Sequence, residues 1–173
     1  MKNILIVVDF QNDFVTGSLG FPKAAELEDA ILRKIDACRR DGWDVAFTFD
    51  THSENYSETQ EGRKLPVPHC IRGTEGWQLY GRVAQCCRGT DAKFEKGSFG
   101  SLKLAEYLSG KGYETVELVG LVSNICVISN AILAKAALPE AEVIVDPACT
   151  ACADEQLNRE ALDVMKGLQI TIG

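Results

Sequence analysis

Two reactive side chains in this sequence follow runs of apolar residues, at the points where buried strands would end. Asp9 follows the run Asn3–Val8, and Cys126 lies five residues after the run Val116–Leu121. Burial of a carboxyl group raises its pKa, which suits a proton-transfer role. A thiol near the start of a helix has a lowered pKa, because the helix dipole and free amides stabilise the thiolate. The pattern predicts a general base and a nucleophile, although a turn acid and a core cysteine would produce the same pattern.

A cation is needed to hold a thiolate close to a carboxylate, since the two negative charges repel each other. The segment Lys93–Ser101 contains two lysines, Lys93 and Lys96, and either could pair with Asp9 and Cys126. The sequence pattern alone leaves both lysines as candidates, beside the ordinary alternative of exposed surface lysines.

Both histidines of the chain lie in the polar segment Asp50–Glu75, which follows the second apolar run. Asp50 and His52 point the same way if the chain is extended there, and His69 can complete a site. Two imidazoles and one carboxylate suit zinc, or iron or manganese, with positions left for water or substrate. Glu61 is the candidate fourth ligand. Two unconnected surface histidines are the alternative interpretation.

The chain contains seven cysteines, an odd number that does not favour a disulfide framework. We expect most of them to be small core residues with free thiols. Cys149 and Cys152 form a CxxC pair, but no second pair completes a zinc ribbon, and the pair lies late in the chain for a thioredoxin-like motif. A redox protein that uses this pair remains an alternative.

Short apolar runs alternate with amphipathic stretches along the whole chain, which predicts an α/β fold with a mostly parallel, Rossmann-like sheet covered on both faces. Ligands of such sheets bind outside the carboxyl ends of the strands. The six expected strands are Asn3–Val8, Val45–Phe49, Asp91–Phe94, Val116–Leu121, Val143–Val145 and Leu168–Ile172. The expected helices are Leu27–Arg40, Gly76–Cys86, Ser101–Leu108, Ile125–Ala137 and Asp154–Lys166, the last with Asp154 as its N-cap.

The composition predicts one globular domain, residues 1–173, with 46% hydrophobic and 25% charged residues. The net charge of −7 argues against binding to nucleic acid or to a membrane surface. No apolar run approaches the roughly 20 residues of a membrane helix, so we expect a cytoplasmic protein. No GxGxxG or P-loop motif indicates a nucleotide cofactor.

Four motifs together resemble those of the cysteine hydrolases of the isochorismatase-like superfamily, and in particular of its nicotinamidase branch. The resemblance runs from Ile4 to about Ile170. The motifs are VVDFQNDF at Val7–Phe14, DTH at Asp50–His52, PHCIRGTEG at Pro68–Gly76 and GLVSNICV at Gly120–Val127.

The resemblance implies a three-layer α/β/α fold and a catalytic triad. It makes Asp9 the general base and Cys126 the nucleophile. It favours Lys96 over Lys93, because Lys96 precedes the aromatic-small-small step Phe99–Ser101. It also implies substrate and oxyanion roles for Phe14, Val122 and Ser123, with a cis peptide bond between Val122 and Ser123.

The resemblance further implies a divalent metal, above all zinc, held by Asp50, His52 and His69. The expected reaction is hydrolysis of a small, nicotinamide-like carboxamide to an acid and ammonia through a cysteine thioester. Thr51 and Ser53 depart from the family pattern, which usually has an aromatic residue and a proline there. The alternatives are a cysteine hydrolase of another amide or ureido compound, and a catalytically silent binding protein. The family also favours a homo-oligomer, and the segment Asp50–Glu75 is the expected lid.

Overall fold

The computed structural model describes residues 2–173 and contains one sheet of six parallel strands. The strand order is β3-β2-β1-β4-β5-β6. The strands are β1 (Asn3–Val8), β2 (Asp44–Asp50), β3 (Ala92–Lys96), β4 (Thr115–Leu121), β5 (Glu142–Ala151) and β6 (Thr171–Ile172).

Apolar side chains project from both faces of the central strands. On β1, Leu5 and Val7 pack into the core on one face, whereas Ile4, Ile6 and Val8 pack into the core on the other. All five side chains are fully buried. A parallel sheet is stable in this form because helices cover both of its faces, which explains the nearly continuous apolar runs in the sequence.

Helices cover the two faces of the sheet and complete three layers. The helices are α1 (Asn12–Val15), α2 (Pro22–Glu26), α3 (Glu28–Arg40), α4 (Gln60–Lys64), α5 (Gly81–Cys86), α6 (Leu102–Lys111), α7 (Ile128–Ala137) and α8 (Glu155–Gly167). Residues of α3 and α5 pack in the core on one face, and residues of α6, α7 and α8 pack in the core on the other. The predicted α/β/α architecture is therefore confirmed.

Several predicted boundaries were wrong, and hydrogen bonding in the sheet explains the largest errors. β3 extends to Lys96 because it pairs with β2 as far as Asp50. β5 continues to Ala151 across an irregularity that the short apolar run could not reveal. The helix predicted at Gly76–Cys86 begins only at Gly81, and the strand predicted at Leu168–Ile172 is reduced to Thr171–Ile172.

The segment Asp50–Glu75 is more ordered than the predicted loop. It contains a 3-10 turn at Tyr56–Glu58 and the helix α4, whose start is capped by the Thr59 hydroxyl. Asp154 caps α8 as predicted, since its carboxylate accepts hydrogen bonds from the amides of Gln156 and Leu157. Among residues 2–173, no helix combines the length and apolarity needed to cross a membrane.

Candidate active site

The ammonium group of Lys96 joins the carboxylate and the thiol that the sequence analysis singled out. Its Nζ lies 2.6 Å from Oδ2 of Asp9 and 3.4 Å from Sγ of Cys126. It also lies 3.4 Å from Oδ1 of Asp50 and donates to the carbonyl of Ser98 at 3.0 Å. Asp9, Lys96 and Cys126 are all at least 95% buried. One cation therefore links a carboxylate, a thiol and the predicted metal site.

Sheet topology explains why residues so far apart in sequence meet. β1 lies between β2 and β4, so that Asp9, Asp50 and the turn after β4 share the carboxyl edge of the sheet. Lys96 is the last residue of β3 and pairs in register with Asp50. Its long side chain spans β2 to reach Asp9.

Gly120 allows β4 to run close beside β1 just before these functional residues. It pairs with Val8 and has a φ of 111°. A Cβ atom at this position would lie 2.1 Å from the carbonyl oxygen of Val8. Only glycine fits such a contact with the backbone, and the contact brings the Cys126 turn next to Asp9.

Thr48 fixes the orientation of the Asp9 carboxylate. The Thr48 hydroxyl donates to Oδ1 of Asp9 at 2.6 Å, and the Asp9 amide donates to the Thr48 carbonyl at 3.3 Å. Asp9 has a φ of 44°, in the left-handed region that aspartate tolerates better than most residues. Thr48 leaves the second carboxylate oxygen for Lys96.

Burial and mutual charge shift the pKa values of Asp9, Cys126 and Lys96. Burial raises the pKa of Asp9, and the Lys96 charge opposes that rise only in part. Burial raises the pKa of the Cys126 thiol, and the neighbouring Asp9 raises it further. Burial alone would lower the pKa of Lys96, but Asp9, Cys126 and Asp50 outweigh this and raise it. The lowered thiol pKa expected from the helix start is therefore wrong, because burial and the neighbouring Asp9 carboxylate raise the pKa of Cys126.

Cys126 lies in a π-helical turn, Ser123–Val127, that leads directly into α7. The amides of Ile125 and Val127 both donate to the carbonyl of Val122. The amides of Ile125 and Val127 are thus already hydrogen-bonded and are not free to bind an oxyanion. The cis peptide bond joins Leu121 to Val122, so its predicted place one residue later was wrong.

Three of the predicted metal ligands meet beside this triad. Ligand atoms of Asp50, His52 and His69 all lie within 4.8 Å of one another, and all three residues are buried. Oδ2 of Asp50 lies 3.0 Å from Nε2 of His52 and 3.2 Å from Nε2 of His69. Two imidazole nitrogens and one carboxylate oxygen form a donor set that suits a divalent metal ion. Oε1 of Glu61 lies 3.7 Å from both imidazole nitrogens, which keeps Glu61 as the candidate fourth ligand.

Neighbouring groups orient the imidazole rings. The Nδ1 atom of His69 lies 2.8 Å from the carbonyl of Val67, so this nitrogen donates and Nε2 is left to face Asp50. The ring of Tyr56 packs against His52 and His69 at centroid distances of 4.8 and 5.1 Å. The ring of Phe14 also packs against His69, at a centroid distance of 5.6 Å.

The contacts of Asp50 and His69 shift the pKa values of both groups. Burial would raise the pKa of Asp50, but hydrogen bonds from His52 and His69 and the Lys96 charge hold that pKa well below its usual range. Burial would lower the pKa of His69, but the Asp50 carboxylate and the Val67 carbonyl raise it. An ionised carboxylate is therefore ready to face a cation.

Three further residues position the site, and no sequence pattern predicted this role for them. The Gln11 side chain accepts from the Asp50 amide at 2.8 Å and donates to the Asp50 carbonyl at 2.9 Å. Asp13 accepts from the Cys70 amide at 2.8 Å and so anchors the backbone next to His69. Asn130 donates to the Cys126 carbonyl and accepts from the Ser101 amide. A buried polar residue inside a strongly apolar helix was the available signal for Asn130.

Other candidate residues have their hydrogen-bond partners outside the triad, although Cys152 lines a cavity of about 290 Å³ beside the Cys126 turn. The Lys93 ammonium donates to the carbonyls of Arg88 and Asp91, which are not partners of Lys96. The Cys149 thiol faces the Asp146 carboxylate, and Cys152 donates to the Asp154 carbonyl. Both cysteines of the CxxC pair have free thiols.

Two cavities open beside the site, on either side of Leu65 and Ile125. One has a volume of about 290 Å³ and includes Phe14 and Val122, two of the predicted substrate residues, in its lining. The other has a volume of about 480 Å³ and includes Glu61 and Phe99. The third predicted substrate residue, Ser123, is fully buried, and its hydroxyl makes no hydrogen bond.

The sequence matches the isochorismatase domain family over residues 3–172, which is nearly the whole described chain. The chain belongs to the isochorismatase family. The resemblance identified from four short motifs is therefore confirmed. In this isochorismatase-family protein, Asp9, Asp50 and Cys126 all lie where the motifs converge at the carboxyl edge of the sheet.

Individual relatives of this isochorismatase-family chain are amidases by name. A nicotinamidase/pyrazinamidase from Mycobacterium tuberculosis is 30% identical over 139 residues, which cover 71% of this chain and 73% of the relative. The crystal structure of a nicotinamidase from Bacillus subtilis superposes with a TM-score of 0.87 at 27% identity, covering 100% and 99% of the two chains. A Pyrococcus horikoshii pyrazinamidase in complex with zinc gives a TM-score of 0.87 at 25% identity and the same coverage. These comparisons indicate a hydrolase that acts on amide C–N bonds, as predicted.

Proposed function

We propose that this isochorismatase-family protein hydrolyses a small, nicotinamide-like carboxamide to a carboxylic acid and ammonia. The observation that carries the proposal is the position of Lys96 Nζ, in contact with both Asp9 and Cys126. Aspartate, lysine and cysteine in mutual contact can generate and hold a thiolate, which is the nucleophile that a thioester mechanism needs.

In the acylation half of the reaction, Asp9 accepts the proton of the Cys126 thiol and the thiolate attacks the amide carbonyl carbon. The tetrahedral oxyanion is stabilised by backbone amides at Val122, Ser123 and Cys126. Asp9 then transfers its proton to the amide nitrogen, the C–N bond breaks and ammonia leaves. Lys96 keeps its proton throughout and stabilises the charges on Asp9 and Cys126.

In the deacylation half, Asp9 accepts a proton from water as the water oxygen attacks the thioester carbonyl. The C–S bond breaks, the carboxylic acid is released, and the proton returns from Asp9 to the Cys126 sulfur. A raised pKa suits Asp9 to both of its tasks, because the group must accept and return a proton near neutral pH.

Asp50, His52 and His69 would hold a divalent metal, with Glu61 as a fourth ligand, directly or through water. We propose zinc as the ion, a choice supported by the two imidazole donors and by the zinc complex of the pyrazinamidase relative. When bound, such an ion supplies a Lewis-acid contact that orients a heteroatom of the substrate or activates water. Phe14, packed against His69, would form one wall for the acyl group.

An ammonia-release assay on a panel of small carboxamides tests this function, with and without a chelator. Release from nicotinamide or pyrazinamide that disappears in Cys126→Ala would support the proposal. Near-normal activity of Cys126→Ala would contradict it. Thr51 and Ser53, which depart from the family pattern beside the metal ligands, favour another small amide or a ureido compound as the second candidate, so the panel includes both classes.

We also propose a cellular location and an oligomeric state for the protein. Seven free cysteines support a reducing, cytoplasmic location, which fractionation of cells would test. Exposed large apolar side chains such as Phe99, Leu102 and Ile132 support a homo-oligomer of single-domain subunits. Light scattering coupled to size-exclusion chromatography would contradict this if the protein elutes as a 19 kDa monomer (18.9 kDa from the sequence).

A further inference from the structure

Half of the arginines in this acidic chain surround one surface cavity, here named the arginine cavity. The chain has eight arginines and a net charge of −7. Four of the eight line a cavity of about 770 Å³, namely Arg33, Arg39, Arg40 and Arg88, and Asp36 is the acidic residue in the same lining. Guanidinium groups bind phosphate and carboxylate groups through paired hydrogen bonds. The cavity is therefore suited to an anionic ligand.

The arginine cavity lies near the amino edge of the sheet, away from the triad. Three of its arginines belong to α3, which ends shortly before β2 begins, and Arg88 lies shortly before β3. β2 and β3 are parallel, so both strands begin at the edge opposite the one that holds Asp9 and Cys126. A ligand in the arginine cavity would thus occupy a second site, and its binding does not depend on the proposed amidase function.

A mostly buried ion pair joins the two walls of the arginine cavity. Arg39 of α3 pairs with Asp91 at 2.5 Å, and the two side chains are only 11% and 9% exposed. The same Asp91 oxygen accepts from the amide of Arg88 at 2.7 Å. Arg39 is therefore a bridge whose charge is already matched, and the backbone of Arg88 is held beside α3 before any ligand binds.

The other three arginines of the cavity have unmatched charges. Within residues 2–173, no carboxylate oxygen lies within 4.0 Å of the guanidinium nitrogens of Arg33, Arg40 or Arg88. All three residues are exposed. Arg33 and Arg40 are seven residues apart on α3, so they share one face of the helix and lie about 10 Å apart along its axis. Three unpaired cations spread over this distance match several linked phosphates better than one carboxylate.

A smaller cavity of about 260 Å³ adjoins the arginine cavity, since Arg39 and Arg88 line both. Trp43 and Tyr107 contribute aromatic side chains to its lining. Aromatic side chains can stack on the flat face of a nucleic-acid base. A base attached to phosphates at Arg88 could therefore lie in the adjoining cavity.

We propose that the arginine cavity is a second ligand site, which binds a small molecule carrying a chain of two or more phosphate groups. The phosphates contact the unpaired guanidinium groups of Arg33, Arg40 and Arg88. Inorganic triphosphate and a nucleoside triphosphate share this chemistry, and the aromatic lining beside Arg88 favours the nucleotide.

Calorimetric titration of the purified protein with sodium triphosphate, ATP and adenosine, in magnesium-free buffer, tests the proposal. Triphosphate and ATP should both bind, and their affinities should fall as salt rises from about 50 to about 500 mM, because exposed charges are screened. Tighter binding of ATP would support a nucleotide, and equal affinities would support inorganic polyphosphate at the same phosphate site. Adenosine that binds as tightly as ATP would overturn the proposal, since the phosphates would then contribute nothing.

Single substitutions locate the bound phosphates. Arg33→Ala and Arg88→Ala should each weaken triphosphate binding about tenfold, which corresponds to the loss of one charge-assisted hydrogen bond. Asp36→Asn should strengthen it about threefold, because a negative charge leaves the lining. Arg159→Ala is the matched control and should have no effect, since Arg159 is an exposed arginine of α8 outside the cavity.

Three results would overturn the proposal. One is the absence of binding heat at about 1 mM triphosphate and ATP. Another is an equal loss of affinity in Arg159→Ala and Arg33→Ala, which would show a general effect of net charge. The third is binding that disappears in His69→Ala but persists in the arginine variants, which would place the polyphosphate at the metal ligands. None of these titrations measures ammonia release, so their failure leaves the proposed amidase function untouched.

Discussion

Two groups of residues in the described part of the chain each combine a lysine, carboxylates and a cysteine, and they differ in their place in the sheet. The first is the triad of Asp9, Lys96 and Cys126. The second, here named the Lys34 cluster, consists of Lys34, Glu117, Asp146 and Cys149. Within it, Lys34 Nζ lies 2.6 Å from Glu117 and 2.8 Å from Asp146, and Cys149 Sγ lies 3.5 Å from Asp146.

The two groups differ in their place in the fold. Lys34 lies on α3, and Cys149 packs in the core between that helix layer and the sheet. Burial raises the pKa of Cys149 to about 12, and the adjacent Asp146 adds to the rise. The Cys126 turn instead borders a cavity at the carboxyl edge of the sheet. The same residue types are thus in contact in both groups, but only the proposed reactive site has a cavity beside its cysteine turn.

The largest expected contrast is between the two cysteines. Cys126→Ala should lower amidase activity by roughly 10⁴-fold or more, because the covalent step loses its nucleophile. Cys149→Ala should keep at least half of the activity. Ammonia release measures both, with circular dichroism as the check on folding. A Cys149→Ala variant that is folded but inactive would break the comparison.

Substitution of the two lysines should affect different properties, activity for Lys96 and stability for Lys34. Lys96→Met should lower kcat by roughly 10²–10³-fold, because Asp9 and Cys126 lose the cation that stabilises their charges. Lys34→Met should retain activity but lower the free energy of unfolding by about 2–3 kcal/mol. This is below the roughly 3–5 kcal/mol of a fully buried pair, because the Lys34 side chain is 27% exposed. Urea denaturation and ammonia release separate the two effects.

Metal binding should depend on the ligands beside the triad and not on the Lys34 cluster. His69→Ala should reduce the affinity for zinc by roughly 10–100-fold or more, since it removes one of three ligands. Glu117→Gln in the Lys34 cluster should leave that affinity unchanged. Zinc titration with a chelating dye measures both values. Equal loss in the two variants would contradict the assignment of Asp50, His52 and His69 as ligands.

The smallest expected effect is on how the stability difference between wild type and Lys34→Met changes as the pH falls. The Lys34 ammonium holds the pKa of Asp146 below its usual value, against the opposing effect of burial. A lowered folded-state pKa gives stability that is present above the unfolded value of about 3.9 and is lost as pH falls through the folded value. The stability gap between wild type and Lys34→Met should therefore shrink below about pH 4. Urea midpoints at pH 7, 5 and 3 test this, and a constant gap would contradict it.

The sequence by itself determined the fold class and most of the chemical inventory. Apolar runs of the length of β1 and β4 stay buried on both sides only in a covered parallel sheet. Asp9, Asp50 and the Cys126 turn could be placed at one edge because the carboxyl ends of parallel strands meet there. Both histidines were assigned to one site by their spacing from Asp50.

The motif resemblance favoured Lys96 over Lys93, but only the tertiary structure gave the reason, since the pairing of β3 with β2 brings Lys96 within reach of Asp9. The tertiary structure also decided the direction of the Cys126 pKa, because that pKa is raised by burial and by the carboxylate of Asp9, which lies more than 100 residues away in sequence. The positions of Gln11, Thr48 and Asn130 follow from long-range hydrogen bonds that no local pattern encodes. Local periodicity determines elements, whereas reactivity depends on non-local distances and burial.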